Sequence, residues 1–146
     1  MIFRAATAGD VPAIVALLAD DVLGARREAP GDPAYAQAFA AIAADANQLL
    51  AVADVDGRVV GCLQLTFTPG LSHRGAWRGQ VESVRIAADQ RGTGLGRRFL
   101  EWAIEHCRAR GCRMVQLTTD KSRADARRFY ESLGFTASHE GMKLAL

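Results

Sequence analysis

The chain has 146 residues, 49% apolar and 23% charged, with only 4 Pro, which fits one globular domain spanning residues 1–146 and excludes two full domains or a disordered tail. Lys and Arg number 18 and Asp and Glu 16, but residues 1–73 carry 4 Arg against 8 acids, whereas residues 74–146 carry 14 basic residues against 8 acids. Cys62, Cys107 and Cys112 form no CxxC pair, and no stretch approaches the roughly 20 apolar residues of a membrane span. The expectation is a cytoplasmic protein with reduced packing thiols, neither exported nor inserted.

In chain order, residues 1–6 read as a strand, and Thr7 followed three residues later by Asp10 is a helix-capping pattern. Val11, Ile14, Val15, Leu18 and Val22 recur at helical spacing, predicting a helix over 8–23 that ends at Gly24. Residues 26–33, with two Pro and a Gly, read as a loop, and the Ala-rich stretch 34–46 as a second helix. Residues 48–55 and 58–68 are strand-like runs joined by Asp56-Gly57, a hairpin signal. A loop over 69–77 precedes a strand at 80–87.

The next helix starts near Leu95, shows Leu95, Phe99, Ala103 and Cys107 on one face, and stops at Gly111. A short strand at 114–118 leads to a helix over 122–133, ended by Gly134. Residues 135–146 hold two apolar runs that would pair across Glu140-Gly141. The expected fold is α/β (α+β): a mixed, mostly antiparallel twisted sheet of six or seven strands flanked by helices.

The most informative stretch is Arg91-Gly92-Thr93-Gly94-Leu95-Gly96-Arg97-Arg98, between a strand and a helix. Alternate glycines let a backbone approach a ligand, and the following helix offers unpaired N–H groups and a positive dipole end to an anion. Arg97 and Arg98 in the first turn oppose that dipole unless a polyanion arrives. The dinucleotide pattern G-x-G-x-x-G fails because Arg97 stands at its third glycine, and the triphosphate P-loop lacks its Lys.

Residues 84–100 resemble the coenzyme A motif of the GNAT superfamily of N-acetyltransferases, with Arg91, Gly94 and Gly96 at the signature positions. Residues 126–135, Ala-Arg-Arg-Phe-Tyr-Glu-Ser-Leu-Gly-Phe, resemble that family's C-terminal motif, and residues 3–10 its first strand and helix start. One departure stands out: Arg123 occupies the position of the family's usual Asn.

The resemblance implies acetyl transfer from acetyl-CoA to a primary amine of a small molecule or peptide, by direct attack in a ternary complex. The pyrophosphate would rest on the backbone from Arg91 through Gly92, Thr93, Gly94, Leu95 and Gly96 to Arg97, with Arg91, Arg97 or Arg98 adding charge. The pantetheine arm would run along Val84, Arg85 and Ile86 as an added strand. Glu82, expected by strand alternation to share a face with Val84 and Ile86, would be the base, and Tyr130 the acid that protonates the leaving thiolate.

Trp77 reads either as an acceptor wall, as packing, or as a homodimer contact. His73, His106 and His139 lack metal-ligand spacing. No nucleic-acid motif or membrane partner is expected; the competing reading is a non-catalytic acyl-CoA-binding or sensor domain.

Overall fold

The computed structural model describes all 146 residues. Its sheet runs, in spatial as in sequence order, β1 (Ile2–Ala5), β2 (Gln48–Val55), β3 (Arg58–Thr68), β4 (Trp77–Ile86) and β5 (Cys112–Leu117). The first three junctions are antiparallel and the last is parallel. A parallel neighbour needs a crossover, and the 15-residue helix Leu95–Ala109 supplies it. The β2–β3 hairpin turns at Asp56 and Gly57, both with positive φ, as the two-residue turn requires.

Five helical segments precede or follow the strands in addition to that crossover: α1 (Val11–Ala19), α2 (Gly24–Arg27), α3 (Ala34–Ala44), the single turn α4 (Ser72–Gly75) and, after α5 (Leu95–Ala109), α6 (Ala124–Ser132). The stripe read from the sequence is the one α5 buries: Leu95, Phe99, Ala103 and Cys107 pack with Leu100 on Ala51, Ala53, Leu63, Leu65, Phe67 and Val81. Each large side chain there contributes roughly 1.5–3 kcal/mol by leaving water. Gly79 sets the closeness of this packing, because a Cβ on it would overlap the Cys107 sulfur. On the opposite face Ile14 of α1 meets Val52 and Cys62. No helix is long and apolar enough to cross a membrane.

Arg4 ties the β1–β2 edge to the start of α1. Its Nη1 donates to Asp10 at 2.7 Å and its Nη2 to Asp54 at 2.8 Å. Asp10 also accepts the Thr7 N–H at 2.7 Å, which completes the capping pattern, and Asp54 accepts the Gly57 N–H at 2.7 Å. Hydrogen bonds from Arg4 hold both carboxyls below their usual range.

Two expectations change. The helix predicted over 8–23 is split, because the Asp21 carboxylate takes the Gly24 N–H and starts α2. A Cβ at Gly24 would overlap the Leu18 carbonyl, so the tight corner needs glycine. The sheet has five strands, not six or seven, because residues 135–146 form no hairpin across Glu140-Gly141. A short isolated hairpin is marginal in water without an apolar face to cover, and Met142, Leu144 and Leu146 all remain exposed.

Candidate active site at the opened end of the sheet

β4 changes its partners in mid-strand. Glu82 sits opposite Gln64 and Arg85 opposite Cys62, so three steps on β4 match two on β3. The extra residue is a β-bulge, and Ser83 within it has φ of 55°. On the other edge, pairing with β5 ends at Val81 and Leu117, while β4 continues to Ile86. The strands therefore part, and residues 82–86 have no strand beside them on the β5 side.

That free edge carries main-chain groups suited to an extended ligand. Ala87 donates its N–H to the Val60 carbonyl at 2.8 Å, so by alternation Val84 and Ile86 direct their polar groups toward the gap. Side chains occupy both carbonyls: Arg85 Nη1 donates to Val84 O at 2.8 Å, and Arg91 Nε to Ile86 O at 3.1 Å.

The bulge also corrects the expected placement of Glu82. Cross-strand partners share a face, and Gln64 and Cys62 are two residues apart, so Glu82 lies on the same face as Arg85, not that of Val84 and Ile86. Glu82 is exposed. Ile86 faces the other way, toward Gly96 at the start of α5.

The glycine loop follows at the end of β4. A 3₁₀ turn at Ala88–Gln90 leads to Arg91, and Gly92 and Gly94 take φ of 77° and 81°, a region that disfavours side chains. Gly94 is the N-cap of α5, whose first-turn N–H groups have no carbonyl within the helix to accept them. Thr93 fixes the loop through a 2.8 Å hydrogen bond from its hydroxyl to Gln90 O. Arg98 lies over it, with Nη1 3.5 Å from Thr93 O. Arg97 turns away, donating to the Ser132 hydroxyl of α6 at 2.9 Å and lying 3.7 Å from the Glu101 carboxylate one turn along α5, so its charge has a partner within the fold. Leu95 is buried and offers only its backbone.

Tyr130 of α6 packs against Phe129 and Phe135, with ring centroids 5.3 and 5.9 Å away. Burial pushes its phenol above the usual value, partly opposed by the positive fields of Arg85 and Arg123. A phenol so placed holds its proton at neutral pH. Asp21 links those two arginines: Arg123 Nη2 donates to its Oδ2 at 2.8 Å, and Arg85 Nε lies 3.1 Å from the same oxygen. Burial opposes ionisation of Asp21, yet the Gly24 N–H and the two guanidiniums outweigh it and hold the carboxyl at about 2. Cys62 lies beneath Arg85 with its thiol directed at Ser83 O, and burial pushes it up to about 12, far from nucleophilic.

Asp21 thus joins Arg85 and Arg123, both of which act on the Tyr130 hydroxyl; Glu82 shares the strand face of Arg85, and the glycine loop lies at the end of the gap. The sequence offered no signal for the ties of Asp21 to Arg85 and Arg123. Arg123 lies 102 residues from Asp21 and attracted notice only as a departure from a family pattern.

A family model described as the acetyltransferase (GNAT) family matches residues 13–135. The chain is 34% identical over 106 residues to the aminoalkylphosphonate N-acetyltransferase of Salmonella typhimurium, covering 73% of this chain and 68% of that protein. It is 34% identical over 140 residues to the L-methionine sulfoximine/L-methionine sulfone acetyltransferase of Pseudomonas paraeruginosa, covering 92% and 80%. Among solved structures, a transcriptional regulator from Bacillus halodurans C-125 is 49% identical, with 99% of each chain covered and a TM-score of 0.96. The chain belongs to the GNAT family of acetyltransferases, acyltransferases that transfer the acetyl group of acetyl-CoA to an amine.

Proposed function

We propose that the protein acetylates the primary amine of a small molecule by direct attack within a ternary complex, with Glu82 as general base and Tyr130 as general acid. The observation that carries this reading is the release of β4 from β5 between Glu82 and Ile86, which leaves one strand edge free from Glu82 to the start of the glycine loop. The backbone from Arg91 to Arg97 cradles the pyrophosphate, and the edge at Val84, Arg85 and Ile86 takes the pantetheine amides in place of a sixth strand. Both relatives described above are named for acetyl transfer to small molecules, which supports a small-molecule acceptor over a peptide.

Glu82, directly or through water, takes a proton from the bound ammonium. The nitrogen lone pair then attacks the thioester carbonyl, whose oxygen a β4 main-chain N–H near Ile86 polarises. As the C–N bond forms and the C–S bond breaks, Tyr130 O–H gives its proton to the departing sulfur, and the second proton shed by the acylated nitrogen returns through water to the Tyr130 phenolate. Transfer of this kind needs no cysteine nucleophile. The three unpaired cysteines accord with a cytoplasmic site of action.

Thiol release from acetyl-CoA across an amine panel tests the reading. Tyr130→Phe and Glu82→Gln should each lower kcat roughly a hundredfold. The Glu82→Gln loss should shrink at high pH, where the amine is already neutral. Coenzyme A binding without turnover of any amine would replace this reading with the acyl-CoA-binding alternative.

A further inference from the structure

The cluster of Asp21, Arg85 and Arg123 holds two guanidiniums and one carboxylate, a surplus of one positive charge among its enclosed groups, with the exposed Asp120 acting on Arg123 from outside. The Arg85 side chain is 15% exposed, Asp21 17% and Arg123 32%. The Arg85 Nε–H, though near Asp21, is misaligned for a hydrogen bond and is the one buried side-chain polar atom in the protein without a partner. Arg85 otherwise donates only to Val84 O, and Arg123 only to Asp21. Each arginine has five N–H donors, so most of the donors on this pair are unused.

Unpaired buried donors cost stability, and a fold optimised for stability alone would match the charges. The position of the surplus gives it a use. Arg85 shares the face of Glu82, and both arginines lie close enough to Tyr130 to act on its hydroxyl. A molecule whose nitrogen is at Glu82 meets Arg85 along the same strand face, with Arg123 joined to it through Asp21. Planar forks of this kind recognise carboxylate, phosphonate and phosphate oxygens through paired hydrogen bonds.

We propose that Arg85 and Arg123, aligned by Asp21, form the anion subsite of the acceptor, so that the substrates are amines carrying an acidic group a few bonds from the nitrogen. Asp21 acts as a positioning residue: it fixes both guanidiniums and leaves their outer donors to the ligand. This assignment rests on the acetyl-transfer reading above for the direction in which the acceptor lies.

The test compares 3-aminopropylphosphonate and β-alanine with propylamine, in turnover and in calorimetric binding to the coenzyme A-loaded protein. Wild type should favour both anionic amines by at least tenfold. Arg123→Gln should reduce that preference roughly ten- to a hundredfold, and Arg123→Lys should restore part of it by returning charge without the fork. Three results would overturn the subsite: an unchanged preference, equal weakening of charged and uncharged amines, or a rise confined to the KM of acetyl-CoA. If the anionic amines bind selectively and none is acetylated, the subsite stands and the transfer reading fails. If propylamine is acetylated as efficiently as the anionic amines, the subsite alone fails.

Discussion

Two arginine–aspartate clusters flank α1, and they are charge inverses. In one, Arg4 lies between Asp10 and Asp54; in the other, Asp21 lies between Arg85 and Arg123. The first cluster is closed, since Arg4 is shared between two carboxylates that also receive the Thr7 and Gly57 N–H groups. Its surplus negative charge is met by main-chain donors. The second cluster leaves Arg85 Nε without a hydrogen-bond partner, and its surplus positive charge faces only an exposed carboxylate, Asp120, from outside. Satisfied valence marks the first as a joint of the fold, whereas spare valence beside Glu82 and Tyr130 marks the second as a place for something else.

Deleting a member of each cluster should separate the two roles. Asp10→Ala strips the capping carboxylate and one partner of Arg4, and should cost about 3 kcal/mol, seen as a Tm lower by roughly 6–12 °C. The kcat of the remaining folded protein should not change, and a loss of turnover at low temperature would blur the distinction.

Acid should dissolve the second cluster in a defined window. The Asp21 carboxyl is held at about 2 against an ordinary 3.8. Because folding depresses this pKa, its stabilisation is complete above the unfolded value and is lost as pH falls from 3.8 through about 2. The contribution is on the order of 2 kcal/mol. Chemical denaturation between pH 5 and 2, expected to be shallower in Asp21→Asn, checks it.

The smallest effect on stability should come from Arg123→Gln. It removes the surplus charge and leaves Arg85 matched with Asp21, so stability should stay within about 1 kcal/mol of wild type even as acceptor preference collapses. A large destabilisation, measured by denaturant midpoint, would make Arg123 another joint of the fold.

Local pattern made the framework legible. The four-residue stripe of α5 named the buried face of that helix, and Asp56-Gly57 named the hairpin. The glycine loop was also readable, because positive φ at Gly92 and Gly94 leaves a compositional mark. Ser83 left none. A non-glycine residue at φ of 55° is held there by its neighbours, so simple alternation put Glu82 on the face of Val84 and Ile86. The two apolar runs of residues 135–146 suggested a pair of strands across Glu140-Gly141, but a strand forms only where an edge and a covered face are both available, and Met142, Leu144 and Leu146 stay exposed. Arg97 illustrates the same limit: besides Glu101 at i+4, Ser132, far along the chain, accepts its hydrogen bond and turns it from the loop.

The close seating of Gly79 on Cys107, together with Cys62 beneath the bulge, has a practical consequence. Burial raises the two thiols to about 11 and 12, so neither reacts with an alkylating reagent while its surroundings stay closed. Alkylation of Cys107 therefore times the lifting of α5 from β4, and alkylation of Cys62 times the opening of β3 from the bulge. The protein carries two native clocks, one on each face of the strand where the gap begins, and their rates with and without acetyl-CoA would tell which face breathes during turnover.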